Sequence, residues 1–136
     1  MPGKLLVDTS AWIASFRKTG HEQLKKELIA ALGSISVVTT NIVILELLQG
    51  CRNKNEYDTM NSRLNALDLI PANDSVWALA YKTGYELRRK GVTVPTVDIV
   101  IAAAAKAHNC GLLHNDKHFR SIAKHLHLES IDYIED

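Results

Sequence analysis

A chain of 136 residues with 46% hydrophobic and 23% charged side chains is long enough for one well-packed domain and carries no signature of disorder. Sixteen Lys and Arg against fifteen Asp and Glu leave a formal charge of +1, so bulk charge does not advertise nucleic acid and any such contact needs a local basic patch. Cys51 and Cys110 match no disulfide framework or metal spacing, Met1-Pro2-Gly3-Lys4 leads into too few apolar residues for a signal peptide, and no apolar run approaches the roughly 18 residues of a membrane span; the expectation is a cytoplasmic protein with no membrane partner.

In chain order, Leu5-Leu6-Val7 reads as a strand ending at Asp8. Glu22 to Leu32 is an amphipathic helix with Leu24, Leu28, Ile29 and Leu32 on its apolar face. Ile35 to Val38 is a second strand. Asn41 to Gln49 is a strongly apolar helix stopped at Gly50, and Asn53 to Leu64 is a more polar one. Leu67 to Ile70 is a strand closed by Pro71. Asp74 to Lys90 is a long helix with Gly91 as its stop. Thr96 to His108 is an Ala-rich helix whose composition predicts deep burial, with Thr96 as its cap. Leu112-Leu113 is a strand, Asp116 to His125 an amphipathic helix, and Ile131 to Ile134 a last strand. Near-continuous apolar strands alternating with helices predict an α/β fold, a mostly parallel sheet covered on both faces, in one domain spanning residues 1–136.

Four carboxylates stand where ordinary solvation does not account for them. Asp8 directly follows the first strand, where open α/β sheets place their ligand sites, although Asp is also a good helix cap. Glu46 interrupts Ile42-Val43-Ile44-Leu45 and Leu47-Leu48, where burying a charge is costly unless it is paired or bound to a metal. Asp98 falls in the first turn of the Ala-rich helix, favoured there by the helix dipole and aimed out of an otherwise apolar element. Asp116 follows a strand in Leu113-His114-Asn115-Asp116, with Asn115 as a rival cap.

In one parallel sheet these positions converge on one edge. Four clustered carboxylates repel one another until they take up protons or a cation joins them. Oxygen donors select hard ions such as Mg²⁺ or Mn²⁺. Such an ion lowers the pKa of a bound water and offsets charge on a phosphoryl oxygen, which points to phosphodiester hydrolysis. No convincing Ser/His or Cys/His arrangement competes.

Taken together, Leu5-Leu6-Val7-Asp8-Thr9-Ser10, the apolar-flanked Glu46, Asp98 opening its Ala-rich helix and Asn115-Asp116-Lys117-His118-Phe119 resemble the PIN domain, and in order and length most resemble VapC-type toxins of toxin–antitoxin pairs. The resemblance covers essentially the whole chain. It implies an α/β/α sandwich with a central parallel sheet and Mg²⁺- or Mn²⁺-dependent cleavage of single-stranded or loop RNA, tRNA included. It also implies inhibition by a cognate antitoxin and a homodimer. By position, Asp8, Glu46, Asp98 and Asp116 match the family's acids, Ser10 with Thr9 its polar hydroxyl position, and Asn115 a polar partner of the last acid. Two departures stand out: His114 replaces the usual Thr at the strand end, and His118 stands where some members carry another acid.

Lys117, His118 and Arg120 adjoin Asp116 and are candidate contacts for RNA phosphates, with His118 otherwise a solvated helix residue. Arg88-Arg89-Lys90 reads as a solvated face. Trp12, Phe16 and Trp77 are candidate stacking surfaces, although such residues are more often core or interface. His114, Asp116 and His118 straddle a strand–helix junction and match no usual zinc spacing. The rival readings are a non-toxin PIN nuclease, a non-catalytic RNA-binding module, and a response-regulator-like phosphoacceptor. The last needs paired acids after the first strand, where Thr9 and Ser10 stand instead.

Overall fold

The computed structural model describes residues 3–132. The elements are β1 (Lys4–Val7), α1 (Thr9–Ser15), α2 (Glu22–Ser34), β2 (Ser36–Thr39), α3 (Asn41–Gln49), α4 (Lys54–Asn65), β3 (Asp68–Leu69), α5 (Asp74–Arg89), α6 (Thr96–Ala107), β4 (Gly111–His114), α7 (His118–Leu126) and β5 (Ser130–Asp132).

All strand pairings are parallel, in the order β3-β2-β1-β4-β5. The chain steps from β1 outwards to β2 and β3, then returns to the other side of β1 for β4 and β5. Right-handed crossovers made in opposite directions put their helices on opposite faces of a sheet, which yields the expected α/β/α layering. The reversal also opens a crevice beyond the carboxyl ends of β1 and β4, the place where open α/β sheets bind ligands.

Coverage on both faces explains the strand composition. Leu5, Leu6 and Val7 are buried, and so is every residue of β4. A central strand has no solvent face, so its apolar character is continuous instead of alternating. The edge strand β3 is shorter than the expected Leu67 to Ile70, with both of its residues exposed. It has a neighbour on one side only, and beyond it the chain keeps a single ladder bond, Ile70 N–H to Thr39 O at 2.9 Å.

The helices follow their patterns with three corrections. In α2 the buried face is Leu24, Leu28 and Ala31, while Ile29 and Leu32 are exposed. The i, i+4, i+7 row points inwards and its flanking residues rotate out. Helix α6 is capped at Pro95, not Thr96; the fixed proline φ of −60° already sets the entry, and no side-chain cap is made. Helix α7 starts at His118 instead of Asp116, because Asp116 and Lys117 form a turn whose carbonyls accept from Phe119 and Arg120. The interior of α6, Val100 to Ala105, is buried as its composition predicted. Of the expected last strand, residues 133 and 134 lie outside the described residues. Among the described residues no helix is long and apolar enough to cross a membrane.

Candidate active site

Asp8 is positioned first by the sheet. Its N–H donates to Leu113 O at 2.9 Å, tying the end of β1 to β4. The extended backbone of Asp8 then lets its side chain cap α1: Oδ2 accepts from the Ser10 N–H at 2.9 Å and from the Ser10 hydroxyl at 2.6 Å. Ser10 Oγ in turn accepts from the Asn115 N–H at 2.9 Å. The cap leaves room for a ligand role, because those bonds occupy one of the two carboxylate oxygens. Asp8 is 3% exposed. Burial raises its pKa, the Ser10 bonds oppose that rise, and the charge of Glu46 adds to it.

Asp98 enters from the opposite face on the first turn of α6. Its side chain is 14% exposed, and its Oδ2 is buried without a hydrogen-bond partner. Burial is the main reason its pKa is pushed up to about 7. The charges of Asp8, Asp116 and Glu46 raise it further, and His118 alone acts downwards. Asp8, Asp116 and Glu46, distant in sequence, thus lie near enough to Asp98 for their charges to act on it. The helix dipole of α6 favours a charge there but does not outweigh burial and three like charges.

Asp116 and His118 complete the crevice on the β4 side. Asp116 Oδ1 accepts from the His118 N–H at 3.0 Å, bending the turn before α7. The His118 ring comes back over the same carboxylate, with Nδ1 3.0 Å from Asp116 Oδ1 and 3.6 Å from Asp98 Oδ2. Nδ1 is buried and makes no hydrogen bond to either oxygen. Asp98, Asp116 and His118 thus offer three donor atoms lying within 4.8 Å of one another. An orphaned carboxylate oxygen, an orphaned imidazole nitrogen and a local excess of negative charge fit a divalent cation.

Glu46 reaches the site from α3, but not from a buried helix as its apolar flanks suggested. Only Val43 and Leu47 of α3 are buried, Leu45 is 64% exposed, and Glu46 is half-buried. Its charge is held by a bond from the Thr9 hydroxyl to Oε1 at 2.7 Å. Thr9 and Ser10 therefore divide the support, Thr9 orienting Glu46 and Ser10 orienting Asp8.

The remaining candidates fall out differently. Asn115 contributes its backbone N–H to Ser10, and its side-chain Oδ1 makes no hydrogen bond. Lys117 and Arg120 are exposed next to the acids in sequence. His118 is a helix residue only partly solvated, with its Nδ1 buried 3.0 Å from Asp116 Oδ1. His114 is fully buried, its ring tilted against Phe119 with centroids 5.3 Å apart, and Nδ1 lies 3.5 Å from the Asp116 N–H. Trp12 is buried and stacked against Phe16 at 6.4 Å, and Ile13 of α1 and its C-cap residue Phe16 are exposed.

The sequence pattern of the PIN domain matches residues 5–125. The chain belongs to the PIN domain family. A VapC ribonuclease of Mycobacterium bovis is 28% identical to this PIN domain over 132 residues, covering 95% of this chain and 98% of the relative. Ribonuclease VapC18 of Mycobacterium tuberculosis is 29% identical over 121 residues, covering 86% and 85%. Among solved structures, VapBC2 from Rickettsia felis bound to a promoter DNA fragment superposes with a TM-score of 0.79 at 21% identity, covering 96% of this PIN domain and 98% of that chain. That likeness establishes the shared fold.

Proposed function

We propose that this PIN domain, spanning residues 1–136, is a metal-dependent endoribonuclease acting in the cytoplasm as the toxin of a toxin–antitoxin pair. The observation that carries the reading is the grouping of Asp98 and Asp116 at the switch point of the sheet, with Asp8 and Glu46 near enough to act on Asp98, whose pKa burial and these like charges push up to about 7. The names of the relatives, VapC ribonucleases, support the same activity.

In this reading Asp8, Asp98 and Asp116 hold Mg²⁺ or Mn²⁺, and Glu46 completes or orients the site. The ion, when bound, acidifies water and neutralises charge on the scissile phosphate. The chain's own residues hold the geometry. Ser10 locks Asp8 to the turn after β4, and Thr9 keeps Glu46 turned towards the crevice. Lys117 and Arg120 supply cations to neighbouring phosphates of single-stranded or loop RNA, tRNA included. Water attack in line at phosphorus leaves a 5′-phosphate and a 3′-hydroxyl.

Two surfaces support the protein partners. An apolar groove of about 600 Å³ is lined by Ile13, Phe16, Leu47 and Met60, with Glu46, Arg52 and Arg63 among its polar walls. A cognate antitoxin segment lying there reaches the acids directly. On α5, Trp77, Tyr81 and Tyr85 repeat every fourth residue and are exposed, with exposed Val97 on neighbouring α6. An apolar stripe of this kind supports a homodimer.

The test is cleavage of defined RNA hairpins and tRNA by the purified protein with Mn²⁺ or Mg²⁺. Activity is expected to vanish in EDTA and in Asp98→Asn. Cleavage undiminished by either would overturn the mechanism, and RNA binding without cleavage across several divalent ions would favour the non-catalytic module.

A further inference from the structure

His118 is the one cluster member for which an all-carboxylate centre has no use. Its ring belongs to the first residue of α7, directly after the turn that Asp116 caps. Ordinary helix geometry leaves such a ring in solvent, and 40% of this side chain is indeed exposed. Nδ1 itself is buried without a hydrogen bond, 3.0 Å from Asp116 Oδ1 and 3.6 Å from Asp98 Oδ2, the second of which also makes none.

We infer that His118 is a nitrogen ligand of the ion held by Asp98 and Asp116, and that it biases this centre towards Mn²⁺ over Mg²⁺. The inference rests on the metal-dependent reading above and specifies its ligand set. The spacing suits it: cis donors of a six-coordinate ion bound at just over 2 Å stand roughly 3 Å apart, and the Asp116 Oδ1 to His118 Nδ1 distance is 3.0 Å. Donor chemistry then sets the preference. Mg²⁺ demands oxygen and keeps its waters, whereas imidazole suits the later divalent ions, so replacing one oxygen donor by nitrogen costs Mg²⁺ more than Mn²⁺.

The competing role for His118 is that of an internal cation sitting where the metal would sit. The two roles predict opposite signs. A ligand lost in His118→Ala weakens Mn²⁺ binding, whereas a competing cation lost in the same variant strengthens binding of both ions.

The experiment is calorimetric titration of the metal-stripped protein with Mn²⁺ and with Mg²⁺ at one alkaline pH, together with electron spin-echo modulation of the Mn²⁺ complex. Wild type is expected to bind Mn²⁺ the more tightly and to show ¹⁴N modulation that becomes ¹⁵N modulation on labelling histidine. His118→Ala is expected to lose that modulation and to weaken Mn²⁺ by about tenfold or more, with a smaller change for Mg²⁺. His118→Asp is expected to narrow the gap between the ions. Absence of histidine modulation in wild type, its persistence in His118→Ala, or tighter binding of both ions by that variant would each overturn the assignment. Asp98→Asn separates the two readings. If Asp98→Asn loses both ions while His118→Ala changes neither, the acid centre stands and the histidine assignment falls. Retention of both ions in Asp98→Asn removes the centre itself.

Discussion

The Ser10 hydroxyl accepts a hydrogen bond from the backbone N–H of Asn115 at 2.9 Å, joining positions 105 residues apart. The same hydroxyl donates to Asp8 Oδ2 at 2.6 Å. One small side chain therefore fixes the carboxylate after β1 relative to the loop that carries Asp116. Ser10→Ala is expected to cost about 1–3 kcal/mol, because a part-buried N–H and a carboxylate oxygen both lose their partner. Chemical denaturation measures this loss. RNA cleavage should fall as well, under conditions where the variant is fully folded.

Thr9 offers a cleaner separation of activity from stability. Its hydroxyl donates to Glu46 Oε1 at 2.7 Å from a half-buried position. Thr9→Val keeps the shape and removes the bond, so stability should change by about 1 kcal/mol or less. Glu46 then swings freely, and kcat/KM for RNA cleavage is expected to fall about 10- to 100-fold. Thr9→Ser should restore most of it. Wild-type rates in Thr9→Val would show that the orientation of Glu46 does not matter.

The elevated Asp98 pKa makes the metal-free protein sensitive to pH. Between the ordinary value of 3.8 and about 7, the folded state holds a proton on Asp98 that the unfolded chain has released. The stability so contributed is fully present below 3.8 and is lost as pH rises through about 7. Asp8, also raised, acts in the same direction. The metal-free protein should therefore melt at a higher temperature at roughly pH 5 than the same protein at roughly pH 8. Asp98→Asn should flatten this difference and add about 1–2 kcal/mol near neutrality by removing a buried charge from among like charges. An unchanged pH profile in the variant would count against the burial of Asp98 as its cause.

Metal should reverse that penalty by mass action. At a hundredfold excess over its Kd, a divalent ion adds about 2.7 kcal/mol to the folded state, enough to raise Tm by several degrees. EDTA should undo the shift, and Asp98→Asn should show none. Identical melting curves with and without Mn²⁺ would argue against a preassembled centre.

Local chemistry made much of this protein readable in one dimension. The continuous apolar strands Leu5–Val7 and Leu112–Leu113, the burial of the Ala-rich α6 and the strand-end position of Asp8 follow from short-range periodicity and from the rule that a covered sheet has no polar face. The four acids were legible as candidates for different reasons: Glu46 interrupts an apolar run, Asp8 and Asp116 follow strands, and Asp98 opens an Ala-rich helix. Which neighbours they meet was not legible, since it depends on strand order. Only the return of the chain to the far side of β1 brings Ser10 against Asn115 and sets Asp98 beside Asp116. His118 shows the limit most plainly. Its helical position says solvent, while the turn capped by Asp116 brings its nitrogen inwards, and a ring's direction is decided by tertiary contacts that no spacing rule encodes. The exposure of Leu45, Ile29 and Leu32 has the same origin, because apolar composition drives burial only where another element arrives to cover it.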